Sequence, residues 1–464
     1  MKGDPKEKFS GKKVAVLGLG VDAGLEAASF LLEEGAIPTV FDEKEEALLD
    51  AETIKKCRSL DIPVVFGKFE NFDGFDFIFR SPGVHSGAAY LKATREKGIE
   101  ITSSTKIFFE YAEGLTIGVT GTKGKGTTAS LIAEMLRSEG KDVYLGGNIG
   151  VSMLSLLPKL TAQSVSVCEL SSFQLIDLTK SPNIAVVLMV TSEHLDYHVT
   201  EEEYVEAKGA IAKFQSTNDV IIANQDFKNS IFIANQSFGK KYWVSRNDEV
   251  REGCFVRDNS VFVRNDAEEE KIVDTNEIFL PGSHNLENVC AATMAAKCAG
   301  VSTRVIAATL RSFRGLPHRL ELIAEIDGVR YVNDSFSTTP ESAIAAIKAF
   351  NYPKIMILGG SHKGSDFGEL GELIQNDASV KAVIGIGEEW ERIKEAIDRT
   401  KKREVKFIEG CKSMAEIVDV ARKEAVAGDI VMLSPACASF GMFKSYKDRG
   451  DQFKREVLGS LFST

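Results

Sequence analysis

Leu115-Thr116-Ile117-Gly118-Val119-Thr120-Gly121-Thr122-Lys123-Gly124-Lys125-Gly126-Thr127-Thr128 is the stretch on which the fold turns. Its first five residues are an apolar run that reads as a short buried strand. Beyond it Leu131, Ile132, Met135 and Leu136 recur at helical spacing, which predicts a helix over Ala129 to Glu139. A strand, a glycine-rich turn, a lysine, hydroxyls and a helix together make a phosphate cradle. The glycines let backbone N–H groups approach phosphate oxygens, and the helix N-terminus favours an anion. Lys125 supplies a point charge, and a hydroxyl can ligate Mg²⁺. The candidate nucleotide contacts are therefore Gly121, Thr122, Lys123, Gly124, Lys125, Gly126, Thr127 and Thr128. Two positions depart from the usual pattern: Val119 stands where a glycine is required, and Gly126 where a Ser or Thr follows the lysine.

At 464 residues the chain exceeds one hydrophobic core, and its length suggests about three domains. The net charge of −11, with no basic stripe, argues against nucleic acid as a partner. No apolar run approaches the roughly 18 residues of a membrane helix, so no membrane insertion is expected. The charged start, Met1 to Lys13, does not read as a signal peptide. Seven scattered cysteines without a C-x-x-C pair suit a reducing compartment, and the chain reads as cytoplasmic.

Three blocks, each alternating strands with helices, argue parallel sheets with ligands at the carboxyl ends of the strands. Their boundaries are set at 1–113, 114–314 and 315–464. In the first, Val14–Leu17 leads into Gly18-Leu19-Gly20 and a helix from about Gly24 to Glu34. A strand at Pro38–Phe41 ends at Asp42, and another at Phe75–Phe79 precedes Ser81-Pro82-Gly83. Gly18, Gly20 and Gly24 form G-x-G-x-x-x-G, one residue too long for the dinucleotide fingerprint, so the turn reads as a nucleotide site but not as the NAD fingerprint. The second block continues from the cradle through Val165–Cys168 into Glu169, and through Ile184–Val190 into Thr191-Ser192-Glu193-His194. Its polar stretch, Lys241 to Glu277, reads as small strands and turns, an excursion from the main sheet. The third block has strands at Val329–Val332, Lys354–Leu358, Lys381–Ile386, Val405–Ile408 and Asp429–Leu433, with a helix over Ser413–Val426.

Several polar residues fall at strand ends, each with two readings. Glu169 and His194 suit Mg²⁺ ligation beside a triphosphate. Glu169 is equally a helix N-terminal acid, and His194 a hydrogen-bonding loop residue. Lys208, in an amphipathic helix, reads by spacing as a surface lysine. Asn285 and Asn288 share a helix face at i and i+3, and Asn285 suits a helix start. Arg319 and Asp334 read either as nucleotide contacts or as a buried ion pair, and Lys363 as a turn residue. The ordered recurrence of these residues weakens the ordinary reading of each.

That order resembles the Mur ligases over nearly the whole chain, and most of all their glutamate-adding branch. The marks are Thr120 to Thr127, Glu169-Leu170-Ser171-Ser172-Phe173-Gln174-Leu175, Glu193-His194-Leu195-Asp196 and His284-Asn285-x-x-Asn288. They continue with Gly315 to Arg319, Asn333-Asp334-Ser335, Gly359-Gly360, Leu433 to Ser439 and Phe443-Lys444-x-Tyr446-x-x-Arg449-Gly450. The resemblance implies an α/β protein of three domains. A Rossmann-like N-terminal domain would bind the uridine nucleotide, a central P-loop ATPase-like domain ATP, and a Rossmann-like C-terminal domain the amino acid. It also implies an ATP-dependent amide ligase, expected as a monomer, acting on UDP-N-acetylmuramoyl-L-alanine and glutamate with two Mg²⁺ ions.

By the same resemblance Lys125 would hold the β- and γ-phosphates, and Asn288, Arg319 and Asp334 would contact ATP. Thr127 would take the metal role that Gly126 cannot, as in folylpolyglutamate synthases. Glu169 and His194 match metal ligands, and Lys208 matches a lysine that is carbamylated, making Lys125, His194 and Lys208 the catalytic set. Gly18, Gly20, Asp42, Ser81, Pro82, Gly83 and Asn148 match the UDP-substrate side, and Thr338, Lys363, Ser439 and Tyr446 the glutamate side. One departure stands out: Phe336 follows Asn-Asp-Ser where many members have lysine. It leaves the choice between D- and L-glutamate open, and Glu43-Lys44 does the same for the uracil contacts. The rival readings are a folylpolyglutamate-type ligase and, from another class, a nucleotide-gated regulatory protein that hydrolyses ATP without forming a bond.

Overall fold

The computed structural model describes residues 3–19, 23–69, 71–191, 198, 200–266, 268–280, 282–362, 364–399 and 402–459. Three sheets organise them. The first comprises β1 (Lys13–Leu17), β2 (Ile37–Asp42), β3 (Val64–Phe66), β4 (Phe77–Arg80) and β5 (Glu100–Thr102), all parallel, in the order β3-β2-β1-β4-β5. The chain reverses its winding between β1 and β4, and such a switch point opens a crevice at the strand ends. Gly18 and Ser81 lie there, bonded from Ser81 Oγ to the Gly18 carbonyl at 2.9 Å.

The second sheet has nine strands: β6 (Leu115–Thr120), β7 (Val143–Gly147), β8 (Val165–Glu169), β9 (Ile184–Val187), β10 (Val220–Asn224), β11 (Lys240–Ser245), β12 (Gly253–Arg257), β13 (Ser260–Asn265) and β14 (Glu268–Asp274). Its order, β14-β13-β12-β11-β10-β9-β6-β8-β7, places β6 between β8 and β9. The third sheet holds β15 (Glu321–Ile326), β16 (Val329–Asn333), β17 (Lys354–Gly359), β18 (Val380–Ile386), β19 (Lys406–Ile408) and β20 (Ile430–Leu433), ordered β15-β16-β20-β17-β18-β19. Strands β8, β9, β17 and β20 are buried along their whole length, as parallel strands covered on both faces must be.

Two compact units result. One is 1–278 with 286–312, holding the first two sheets; the other is 279–285 with 313–464. All seven cysteines are free. Among the described residues no helix is long and apolar enough to cross a membrane.

Three expectations needed adjustment. The cradle helix runs Lys125–Ser138, starting four residues before its apolar periodicity, because Gly124 at φ 85° turns the chain into it. Strands β3, β5 and β7 were not expected: β3 (Val64-Val65-Phe66) and β5 (Glu100-Ile101-Thr102) are only three residues long, and the five residues of β7 are mostly half-buried and end in two glycines. The polar stretch does not leave the main sheet: β12 joins β11 in parallel, and β13 and β14 extend the same edge antiparallel. An Arg257–Glu249–Arg264–Glu269 ion cluster covers this extension, which explains its polar composition.

Candidate active site

The site begins where β6 ends. Thr122 N–H donates to the Met189 carbonyl at 2.7 Å, and its hydroxyl donates to the Thr191 carbonyl at 2.9 Å, fixing the turn against the segment after β9. The Tyr204 hydroxyl is 3.2 Å from Thr122 Oγ1. Gly124 then adopts the left-handed conformation and caps the helix Lys125–Ser138. A Cβ there would overlap Asn288 Oδ1, so the backbone must pass bare beneath that amide. Thr128 Oγ1 donates to the same Oδ1 at 3.3 Å, joining the cradle helix to the helix Asn285–Cys298. Asn285 opens that helix, as its spacing suggested. Lys123 is exposed and Thr127 half-buried.

Lys125 Nζ donates to the carbonyls of Gly121 and Thr122 at 3.0 and 2.9 Å. Lys208, on the helix Glu201–Lys213, is 1% exposed and donates to Gly121 O at 3.0 Å and Thr120 Oγ1 at 3.3 Å. The surface reading of Lys208 is thus overturned. Its helix also buries the small and apolar residues Ala207, Gly209, Ile211 and Ala212. Tyr204 lies one turn earlier, with Lys208 Nζ 4.6 Å from its ring centroid. The i, i+4 spacing was a legible signal for this pairing, and sequence reasoning passed over it.

Glu169 ends β8, adjacent to β6, and is 2% exposed. Its Oε1 accepts from Asn148 Nδ2 at 3.2 Å, whereas Oε2 is buried with no hydrogen-bond partner among the described residues. A buried carboxylate oxygen without a donor is costly, and a hard cation satisfies it. The donor set therefore fits Mg²⁺. Among the described residues no three His, Cys, Asp or Glu side chains converge on one point. His194, like Gly20 and Lys363, lies outside the described residues. His198 is buried; its Nε2 lies 2.9 Å from Ser172 Oγ, and its ring stacks on Phe173.

At the first sheet, Asp42 is buried and accepts from the amides of Leu19 at 2.8 Å and Lys44 at 3.0 Å. It shapes the turn after β1. Ser81 is buried, Pro82 half-buried and Gly83 exposed, at the end of β4.

In the second unit the ends of β16, β20 and β17 converge. Asp334 accepts from Ser434 Oγ at 2.7 Å and from Leu320 N–H at 3.1 Å. Burial pushes its carboxyl up to about 7, against the lowering pull of those bonds and of the Arg319 charge. Gly359 N–H donates to the Pro435 carbonyl, and Ser361 N–H to that of Ala438. Arg449 is fully buried and donates to Ser335 Oγ, the Ser335 carbonyl and the Cys437 and Ala438 carbonyls, fastening the two loops together. Arg319 lays its guanidinium 3.8 Å over the Phe336 ring, and Phe336 meets Tyr446 edge-on at 5.1 Å. Thr338 is half-buried and Ser439 buried in the neighbouring loops.

A phosphate loop at the end of an inner strand of a mainly parallel sheet, a buried carboxylate with one orphaned oxygen and a separate α/β unit define an ATP-using enzyme of several domains. Three family models match in order: the MurD-like N-terminal domain over 12–103, the Mur ligase middle domain over 119–296 and the Mur ligase glutamate ligase domain over 318–437. The UDP-N-acetylmuramoylalanine–D-glutamate ligase of Acetivibrio thermocellus is 38% identical over 99% of this chain and 98% of its own. That of Thermoanaerobacter sp. is 36% identical over 97% and 99%. Among solved structures, MurF of Thermotoga maritima in complex with ADP aligns with a TM-score of 0.56 at 18% identity, covering 98% of this chain and 97% of its own. MurC of the same organism aligns at 0.55 and 16%, covering 97% and 100%. The chain belongs to the Mur ligase family. It is an ATP-dependent, ADP-forming amide ligase that uses Mg²⁺.

Proposed function

We propose that this ligase joins D-glutamate to UDP-N-acetylmuramoyl-L-alanine in the synthesis of a peptidoglycan precursor. The observation that carries the reading is identity along the full chain to relatives named for that reaction. The phosphate loop supports it, with two lysines gathered on one turn beside a carboxylate of which one oxygen, Glu169 Oε2, has no donor among the described residues.

A carboxylate is a poor electrophile, because an amine cannot displace oxide from it. The alanyl carboxylate therefore takes the γ-phosphoryl group, ADP departs, and an acyl phosphate is left. The amino group of glutamate attacks the acyl carbon, a tetrahedral intermediate collapses, and phosphate leaves with amide formed and one proton released. Lys125 holds the β- and γ-phosphates, and the amides behind it at the helix start face the same anion. Thr127, Glu169, His194 and Lys208 would hold two Mg²⁺ ions, which supply charge neutralisation on the transferring phosphoryl. Lys208 would serve as a carbamate, formed when CO₂ adds to its neutral amine with loss of a proton. Asn288, Arg319 and Asp334 contact ATP, while Gly18, Gly20, Asp42, Ser81, Pro82, Gly83 and Asn148 line the uridine-nucleotide and muramoyl side. Thr338, Lys363, Ser439 and Tyr446 take glutamate. The domains run 1–113, 114–314 and 315–464, one for each substrate.

Phosphate release from ATP tests the whole reading. It should require both UDP-N-acetylmuramoyl-L-alanine and D-glutamate, and Lys125→Ala should abolish it. Release with ATP alone would favour the regulatory ATPase, and turnover with L-glutamate but not the D-isomer would overturn the stereochemical assignment.

A further inference from the structure

Arg80 is one of the largest fully buried side chains in the protein, and nothing in the site as described uses it. It is the last residue of β4, immediately before Ser81-Pro82-Gly83. Its guanidinium works on two fronts. Toward its own loop, Nη1 donates to the carbonyls of Val84 at 2.6 Å, Ser81 at 3.4 Å and Pro82 at 3.5 Å. Toward the middle of the chain, Nε donates to Asp177 Oδ2 at 2.6 Å and Nη2 to the Phe173 carbonyl at 2.7 Å. The Arg80 and Asp177 side chains are 1% and 8% exposed, so the pair is a dry ion pair joining the first sheet to the second.

The segment it grips begins four residues after the candidate metal ligand. Phe173 lies in the turn Ser172–Leu175, which a capping box between Ser171 and Gln174 makes stiff. Only Ser171 separates that turn from Glu169-Leu170, and Asn148 reaches the same Glu169. A planar fork of five N–H donors can hold a carboxylate and several carbonyls at once, which an ammonium group cannot. The loop geometry also serves an anion. Carbonyl oxygens that would repel a diphosphate are drawn toward Arg80. Because the C=O and N–H of a trans peptide point in opposite directions, the Gly83 N–H is turned away from it.

We infer that Arg80 is a positioning residue that sets the Ser81–Gly83 loop against Glu169, so that binding of the uridine diphosphate places the reacting carboxylate at the phosphate site. The inference rests on the proposed reaction for the identity of the ligand. A purely structural pair would change stability alone; a positioning pair changes affinity for one substrate among three.

The experiment uses the full chain and three variants: Arg80→Lys, Arg80→Gln and Asp177→Asn. Calorimetry measures binding of UDP-N-acetylmuramoyl-L-alanine and, separately, of ADP, and steady-state rates give KM for each substrate. Arg80→Gln and Asp177→Asn should each weaken the uridine-linked substrate about tenfold or more. ADP affinity and the KM for glutamate should hold, and Arg80→Lys should fall between parent and Arg80→Gln. Equal substrate affinity in parent and Asp177→Asn, or an equal loss for ADP, overturns the inference. Should Arg80→Gln fail to fold, Asp177→Asn keeps the buried arginine and decides alone. A parent that does not bind the uridine-linked substrate brings down the proposed reaction and this inference with it; a parent that binds with unaffected variants brings down only the latter.

Discussion

Lys125 and Lys208 donate to one and the same oxygen, the carbonyl of Gly121, each at 3.0 Å. Two ammonium groups on one acceptor lie no further apart than twice that distance, and Lys208 is buried. Like charges so placed repel strongly, the more so away from water. A triphosphate at Lys125 and conversion of Lys208 to an anionic carbamate both relieve the repulsion.

That relation makes Lys208 testable. Lys208→Ala should lower kcat on the order of 100-fold, a loss typical of removing one charge-stabilising group. Acetate or formate should restore part of it by supplying a carboxylate in the vacated space. Full loss with no restoration at any concentration would leave the carbamate without support.

Gly124 faces a double constraint, a φ of 85° and the Asn288 amide lying where its Cβ would be. The left-handed conformation alone costs a non-glycine residue about 1–2 kcal/mol. Gly124→Ala should therefore weaken ADP binding by roughly tenfold or more, with a lower melting temperature. Adding Asn288→Ala removes the overlap but not the backbone cost, so it should recover stability only in part. Calorimetry and thermal melts of both variants check this, and an unchanged affinity in Gly124→Ala would contradict it.

Phe336 is 40% exposed and carries Arg319 on its face. Such a contact at an exposed site is worth about 0.5–1 kcal/mol. Phe336→Lys replaces the attractive ring by a like charge, and the KM for ATP should rise several-fold. Phe336→Tyr keeps a ring and should behave as the parent. If Lys and Tyr give the same KM, the ring does not hold Arg319 for the nucleotide.

Asp334 supplies a pH signature. In the folded chain burial raises its carboxyl from 3.8 to about 7, so between those values the folded state holds a proton that the unfolded state has released. Stability from this group is complete at the acid end, falls as pH rises through the window, and is gone above about 7. Denaturant melts from pH 4 to 8 should show the parent losing stability relative to Asp334→Asn up to about 7, then running parallel. Parallel curves throughout would remove the raised carboxyl.

Much of this protein was legible in its residues. Strands such as Ile184–Val187 and Ile430–Leu433 are apolar runs because parallel strands are buried on both faces. Gly124 marked the phosphate turn because few other residues tolerate its backbone angle. Strands β3 and β5 escaped notice because three residues are too short for a period to show, and β7 because its apolar start runs into Gly146-Gly147.

The sequence by itself determined three α/β sheets of mainly parallel strands, the phosphate loop and the ordered marks of a Mur ligase, since each rests on local backbone needs or on periodic burial. Tertiary structure alone decided which of those marks touch. The order β8-β6-β9 brings Glu169 beside the loop, and packing of the helix Glu201–Lys213 buries Lys208 against Gly121. The same holds for Arg80, whose partners lie 93 and 97 residues further along the chain. No spacing rule reaches that far, because such a contact depends on the path of the whole chain between its ends.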